Sequence, residues 1–349
     1  MTAHPLRFGV WAPVHGSRAA RHDPDEPHDA SWARNRALVL EAEALGYDSV
    51  LVAQHTVNPY DESRDQLEAW TASAALAAVT RRIEIIAAIK PGLIHPVVLA
   101  KMALQIEHVS EGRFGLNLVN AWNRAEFEQA GLPFPAHDER YAYGREWIAL
   151  VERLLRGERV SFEGRHFRVE DYQLRPAGTY RARPSIYVGG ESEPARALVA
   201  DHGDVWFING QPLDAVTGLI ADLESRPAAR GRLRYGLSAF VIARETDAEA
   251  EDEFARLLEL SRRDEKLRAE TRARTDAASV MFAKTDAAAA YHVGTNGGTA
   301  AGLVGSYGRV ADGIRAFHAV GIALFMLQFQ PFEAEMRRFA ERVFPRVRA

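Results

Sequence analysis

Ile83-Glu-Ile-Ile-Ala-Ala-Ile89, then Pro96-Val-Val-Leu-Ala-Lys-Met-Ala-Leu-Gln-Ile-Glu-His-Val109, then Arg113-Phe-Gly-Leu-Asn-Leu-Val119, follow one another in the first third of the chain. The first run is almost wholly apolar, as a strand buried on both faces must be. The second opens with a proline suited to a first helical position and carries Val98, Met102, Ile106 and Val109 as an apolar stripe. The third is a strand again. Strand, helix and strand joined by short connections make a parallel pair with a helical crossover.

Working outward, the rhythm persists. Towards the N-terminus lie a strand at Phe8–Pro13, a helix at Ser31–Leu45 closed by Gly46, a strand at Asp48–Ala53 and a helix at Leu67–Val79. Beyond Val119, Trp147, Leu150, Val151, Leu154 and Leu155 form a helical face, and strands fall near 185–188, 204–208, 234–243 and 322–328. Eight strands alternating with helices predict an α/β fold, a closed (β/α)8 TIM barrel spanning 1–349 as one domain, with its site at the C-terminal ends of the strands. An open dinucleotide-binding sheet would carry Gly-x-Gly-x-x-Gly after its first strand, and none is present. Two regions depart from the rhythm. Arg159–Arg168 alternates around Glu163-Gly164 and reads as a small inserted hairpin. Residues 263–302 read as a mobile lid before strand eight.

The 349 residues are 47% hydrophobic and 26% charged, a balance that can fill a large core. Without cysteine there are no disulfides, thiolate metal sites or cysteine nucleophiles. The net charge of −4 and the lack of a basic stripe speak against nucleic acid. No apolar run suggests a signal peptide or a membrane span, so the cytoplasm is expected. No His-x-x-x-His, acidic cluster or Gly-x-Ser-x-Gly points to a metal or a serine nucleophile.

Three constellations carry chemistry. Ile186-Tyr-Val-Gly-Gly-Glu-Ser-Glu-Pro194 ends a strand, turns on Gly189 and Gly190 and opens a helix. Free N–H groups at such a helix start attract an anion, and Ser192 adds a hydroxyl. The motif reads either as a phosphate site or as a capped loop, with Glu191 and Glu193 opposing an anion. Asn117-Leu-Val-Asn-Ala-Trp122 ends strand four, with Asn117 and Asn120 suited to a planar polar ligand or, for Asn120, to loop capping. His137-Asp-Glu-Arg-Tyr141 opens a helix with Asp138 as its expected N-cap and Tyr141 within reach of a phosphate. His15, His55 and His95 follow strands one, two and three, where a barrel places acid–base groups.

Beyond these readings, the chain resembles the bacterial-luciferase-like family of flavin-dependent monooxygenases, in its two-component alkanesulfonate and dimethylsulfone branch. The resemblance is carried by Trp11-Ala-Pro-Val-His-Gly16, Lys90-Pro-Gly-Leu-Ile-His-Pro96, Ser110–Trp122, His137–Tyr141, Val188-Gly-Gly-Glu-Ser192, Phe240–Glu245 and Leu303-Val-Gly-Ser306. It implies a homodimer or homotetramer that takes reduced FMN from a separate NAD(P)H-dependent flavin reductase. It further implies dioxygen chemistry through a flavin peroxide that cleaves a carbon–sulfur bond. The phosphate would lie at Tyr141, Gly190 and Ser192, with Gly189 and Glu191 also among the cofactor-binding residues, and the isoalloxazine at Asn117 and Asn120. His15, His55 and Asn117 are then the catalytic candidates, and Trp11, His95, Trp122, Ser238 and Phe240 would face the substrate. Where the sulfonate enzymes carry an arginine and a histidine on strand seven, this chain has Ser238 and Phe240. A buried anion without a partner is costly, so a neutral dialkyl sulfone is expected, with an alkanesulfonate next, unless Lys90, Arg124 or a lid arginine supplies the charge. Ring opening of an amide heterocycle and a deazaflavin-dependent oxidoreductase are the alternatives.

Overall fold

The computed structural model describes residues 4–16, 21–121, 123–263 and 293–348. Strands β1 (Arg7–Trp11), β2 (Ser49–Val52), β3 (Glu84–Ile89), β4 (Phe114–Leu118), β7 (Ser185–Gly189), β8 (Val205–Ile208), β9 (Arg234–Phe240) and β12 (Ile322–Gln328) close a parallel barrel. Every strand pairs with its chain neighbour, and β1 meets β12 with Phe8 opposite Phe325. All eight expected strands are there. β5 (Val160–Glu163) and β6 (Arg168–Tyr172) form the expected antiparallel hairpin, set outside the barrel.

Alternation along the strands separates two cores. Outward residues such as Val10, Val50, Ile85, Leu116, Ile186, Trp206, Leu237 and Phe325 join the helices in one continuous cluster. Inward, Leu51, Ile86, Tyr187, Val205, Phe207, Leu324 and Met326 fill the barrel. The interior admits these large side chains because glycines face them. An added Cβ on Gly115 would stand 2.7 Å from the Tyr187 ring, and on Gly236 it would stand 2.8 Å from Phe207. At the barrel floor Glu84 accepts from Arg7 at 2.8 Å and from the Tyr187 hydroxyl at 2.9 Å, so the buried charge is matched.

Helix boundaries follow local chemistry. Helix α1 (Trp32–Leu45) is capped by the Ser31 side chain, which accepts from the Arg34 N–H, and is closed by Gly46 at φ +89°. Helix α2 (Ala69–Val79) starts later than the apolar pattern suggests, because the Glu68 carboxylate caps it. Helix α3 (Pro96–Val109) buries Leu99, Ala100, Ala103, Leu104 and Ile106, while Val98 and Val109 are 53% and 41% exposed. The expected stripe was therefore rotated. α3 packs on the sheet and on the helices beside it, which widens its buried face and moves it toward the alanines. The short α4 (Arg124–Gln129) precedes α5 (His137–Leu155), whose N-cap is Ala136. Asp138 thus lies in the first turn of α5, where it complements the helix dipole instead of capping.

The expected strand at 234–243 is two strands. β9 stays in the barrel, and β10 (Ile242–Arg244) leaves it to pair with β11 (Val304–Ser306). Helix α8 (Asp247–Arg262) follows, started by a Thr246–Glu249 capping box. The expected lid falls largely on 264–292, outside the described residues, as does Trp122. No helix among the described residues is long and apolar enough to cross a membrane.

Candidate active site

Helix α6 (Glu193–His202) begins where β7 ends. Gly190 takes φ +113°, a conformation costly for any residue with a side chain, and Trp206 Nε1 donates to its carbonyl at 2.9 Å. Ser192 is the N-cap of α6, yet its side chain makes no capping bond. Its hydroxyl donates instead to the Tyr141 hydroxyl at 3.3 Å. Two hydroxyls and an uncapped helix start thus converge on a glycine turn, an arrangement that favours an anion. The glutamates that argued against an anion are tied elsewhere. The buried Glu191 carboxylate accepts from the Asn209 N–H at 3.2 Å and from Gln211 Nε2 at 2.8 Å, on the loop after β8. That leaves Glu191 as a brace for the turn, not a ligand through its side chain. Glu193 faces outward and accepts from Arg196 and Arg226, each at 2.8 Å.

Alternation places Asn117 inward at the mouth of the barrel, beside the Tyr187 row. Asn117 is 5% exposed, and its Oδ1 has no hydrogen-bond partner. Trp11, which packs against the interior cluster from the end of β1, buries an Nε1–H that is likewise without a partner. Buried polar atoms are nearly always paired. A buried acceptor and a buried donor left open at one barrel mouth suit a flat ligand bearing both kinds of group, and an isoalloxazine is such a ligand. Asn120 lies against Gly144 of α5, where an added Cβ would come within 2.5 Å of its Oδ1. The missing side chain at 144 makes the room that Asn120 occupies.

On the strands between those of Trp11 and Asn117 the structure assembles a charged cluster. His55 follows β2, Lys90 directly follows β3, and Glu126 lies on α4 after β4. Lys90 Nζ donates to Glu126 Oε2, and it contacts His55 Nδ1 at 3.1 Å. Glu126 Oε1 also accepts from the Thr56 N–H at 2.8 Å. Burial alone would push the Glu126 carboxyl up, but the neighbouring His55 and the Lys90 charge bring it down to about 2. Burial, then the Lys90 charge, bring His55 down to about 4. His15, whose ring centroid is 5.9 Å from that of His55, falls to about 3 through burial, His55 and Lys90. Both histidines are neutral at pH 7. A cleft of ≈ 450 Å³ adjoins His15, with Asn58, Tyr60 and Arg64 among its lining residues.

The remaining candidates separate from this group. His95 is the N-cap of α3 and stacks edgewise on Phe167 of the hairpin, an exposed structural position. Ser238 is buried and accepts from Gln328 Nε2 at 3.2 Å, while Gln328 Oε1 accepts from the Thr295 N–H at 3.0 Å. Phe240 packs with Ile242, Ala250, Leu257 and Val293 beneath α8. Its ring closes a satellite core, not the mouth of the barrel. Glu126 and Gln328 were missed from sequence. The Lys90 ammonium, set directly behind an apolar strand, was the signal that some carboxylate must meet it. Which carboxylate depends on the fold, because Glu126 comes from a different loop.

The description "Luciferase-like monooxygenase" covers a family whose pattern matches residues 6–324. A relative from Pseudomonas putida, named FMNH(2)-dependent dimethylsulfone monooxygenase, is 30% identical over 360 residues, covering 99% of this chain and 96% of its own. One of the same name from Pseudomonas fluorescens (strain Pf0-1) is 31% identical over 353 residues, covering 100% of this chain and 96% of its own. Among solved structures, a riboflavin lyase crystallised with modified FMN and riboflavin superposes with a TM-score of 0.80 at 22% identity, covering 99% of this chain and 91% of that one. That last likeness speaks to the fold, and it is the same closed barrel. With the match spanning nearly the whole barrel, the chain belongs to the luciferase-like monooxygenase family.

Proposed function

We propose that the chain is a reduced-FMN-dependent monooxygenase that cleaves a carbon–sulfur bond in a small dialkyl sulfone. In this reading it works in the cytoplasm as a one-domain homodimer or homotetramer and receives reduced FMN from a separate NAD(P)H-dependent reductase. For dimethyl sulfone, one dioxygen and one reduced FMN yield methanesulfinate, formaldehyde, oxidised FMN and water.

One observation carries the choice of a neutral substrate. Lys90, the cation that could have met a sulfonate, is spent on Glu126 within the cluster. Arg124 is half exposed and pairs with Glu128 at 3.4 Å. Ser238 faces a carboxamide, that of Gln328. With these cations paired and an uncharged serine and carboxamide at this position, a permanent anion there would lose solvation without compensation from the described residues. Similarity over nearly the full length of the two sulfone enzymes supports the same conclusion.

In this reading, Ser192, Tyr141 and the Gly190 turn hold the phosphate. Asn117 and Trp11 orient the ring system, one accepting and one donating. Bound reduced FMN supplies the electrons that activate dioxygen. The apolar interior below the mouth keeps water from the reacting atoms. The test is turnover with FMN, NAD(P)H and a flavin reductase, comparing dimethyl sulfone with methanesulfonate and following sulfinate and formaldehyde. Sulfone consumption without sulfonate consumption is expected. Failure on the sulfone by protein that still binds FMN overturns the substrate assignment.

A further inference from the structure

We infer that Lys90 and Glu126 act as positioning residues that hold His55 as its Nε2-protonated tautomer, so that His55 serves as a hydrogen-bond donor toward the substrate and not as a base. The donor role rests on the sulfone reading; the tautomer does not.

Hydrogen-bond bookkeeping carries the argument. A lysine ammonium has three donors and no acceptor. Its contact with His55 Nδ1 at 3.1 Å is therefore a bond only if Nδ1 is bare. The imidazole proton then resides on Nε2. The opposing arrangement, Nδ1–H donating to Glu126, would span 3.5 Å to an Oε2 that Lys90 already occupies. Glu126 is what keeps Lys90 an ammonium. The Glu126 side chain has no exposure and that of Lys90 has 3%, so an isolated lysine there would shed its proton. Glu126 is fixed in turn by the Thr56 N–H and hydroxyl, at 2.8 and 3.3 Å. The chain Thr56–Glu126–Lys90–His55 thus runs in one direction, each group determining the protonation of the next.

Among the described residues, His15, Lys90 and Glu126 are titratable groups that face His55. Two are fixed charges of opposite sign, and the third is a neutral imidazole at pH 7. None of them gives His55 a second proton under working conditions. A neutral Nε2–H matches a sulfone, whose oxygens accept hydrogen bonds and donate none.

The experiment is nitrogen and carbon NMR of the ring-labelled full-length chain without flavin, with the His55 signals assigned by their loss in His55→Gln. Wild type is expected to show a bare Nδ1 and a protonated Nε2 at pH 7. Lys90→Met is expected to move the proton to Nδ1, facing Glu126, and to raise the His55 pKa. With the loaded enzyme it should also raise the KM for dimethyl sulfone about fivefold, the loss of one neutral hydrogen bond, at unchanged FMN affinity. If Lys90→Met does not fold, the neutral pair Lys90→Met/Glu126→Gln replaces it and is expected to give a mixture of tautomers. A wild-type Nδ1–H, or a variant tautomer identical to wild type, overturns the inference even where sulfone turnover is normal. The expected tautomer with no sulfone turnover leaves it standing and removes the sulfone reading instead.

Discussion

The Ser192 hydroxyl donates to the Tyr141 hydroxyl across 3.3 Å, joining the residue that begins α6 to one near the start of α5. Hydroxyl pairs of full strength lie nearer about 2.7–2.8 Å, so little is lost when the two groups part. The Tyr141 hydroxyl lies beside the Gly190 turn, 3.4 Å from where a Cβ on that glycine would stand. Tyr141→Phe and Ser192→Ala should each weaken FMN binding by roughly 1 kcal/mol, about fivefold in Kd. The double variant should fall short of the sum or exceed it, because the two share a partner. Fluorescence titration of FMN against the four proteins measures this; unchanged affinity in both single variants would place the phosphate elsewhere.

Gly190 and Gly189 offer an internal comparison. At 190 a Cβ would sit 3.0 Å from the Ala195 Cβ on a backbone at φ +113°, whereas at 189 the nearest atom lies 3.7 Å away. Gly190→Ala should cost roughly 1–3 kcal/mol of stability and lower FMN affinity further. Gly189→Ala should fold normally. Denaturant unfolding with FMN titration separates the two.

For Asn117 stability and activity should move in opposite directions. Its buried Oδ1 lacks a partner, so Asn117→Leu removes a desolvated acceptor and should leave the protein equally or more stable in urea, by up to about 1 kcal/mol. Turnover should collapse, with kcat falling more than FMN affinity if Asn117 orients the ring. Loss of stability in step with activity would mean that Asn117 is structural.

Acid should destabilise this protein in two stages. His15 and His55 have folded pKa values of about 3 and about 4, below the ordinary histidine value of 6.5. Their contribution is complete above pH 6.5 and is lost as pH falls toward those values, because the unfolded chain binds the protons first. Glu126, at about 2 against 4.5, adds a second stage below pH 4.5. Each uptake of one proton on unfolding tilts stability by about 1.4 kcal/mol per pH unit. The His15→Gln/His55→Gln variant should therefore have a flatter profile from pH 6.5 down to about 3. Urea midpoints measured across pH 3–8 test the shape.

The Lys90–Glu126 pair should be far more costly to halve than to remove. Glu126→Ala leaves Lys90 buried without its counter-charge, so that it must give up its proton to stay buried, and should lose about 3–5 kcal/mol. Lys90→Met/Glu126→Leu should regain most of it. Thermal and urea unfolding of both variants check the difference.

The barrel was legible because its signal is periodic. Apolar runs such as Ile83–Ile89 and caps such as Ser31 and Gly46 act locally and survive into the structure. The turn at Gly190 and the helix start at Ser192 were legible for a related reason, since a glycine turn before a helix is a local motif, while their use for a phosphate belongs to the proposed function. What failed depended on distant partners. Phe240 alternates correctly with Ser238, yet α8 and Val293 cover it, and nothing near residue 240 announces them. His95 follows a strand just as His55 does, but one caps a helix while the other meets Lys90. Val98 and Val109 show the same limit in the core, where alanines took the buried face.

The pairing of Gly115 with the Tyr187 ring, and of Gly236 with Phe207, has a consequence for how this protein can diversify. A side chain gained at either glycine collides with its facing ring, and a ring lost opposite either glycine leaves a hole. Each single exchange is therefore disfavoured, although the paired exchange conserves volume. The interior should drift only by coupled replacements, which are rare, while Ser238 and its neighbours at the mouth can change one at a time. New substrates can then be sampled at the rim over a foundation that stays nearly constant.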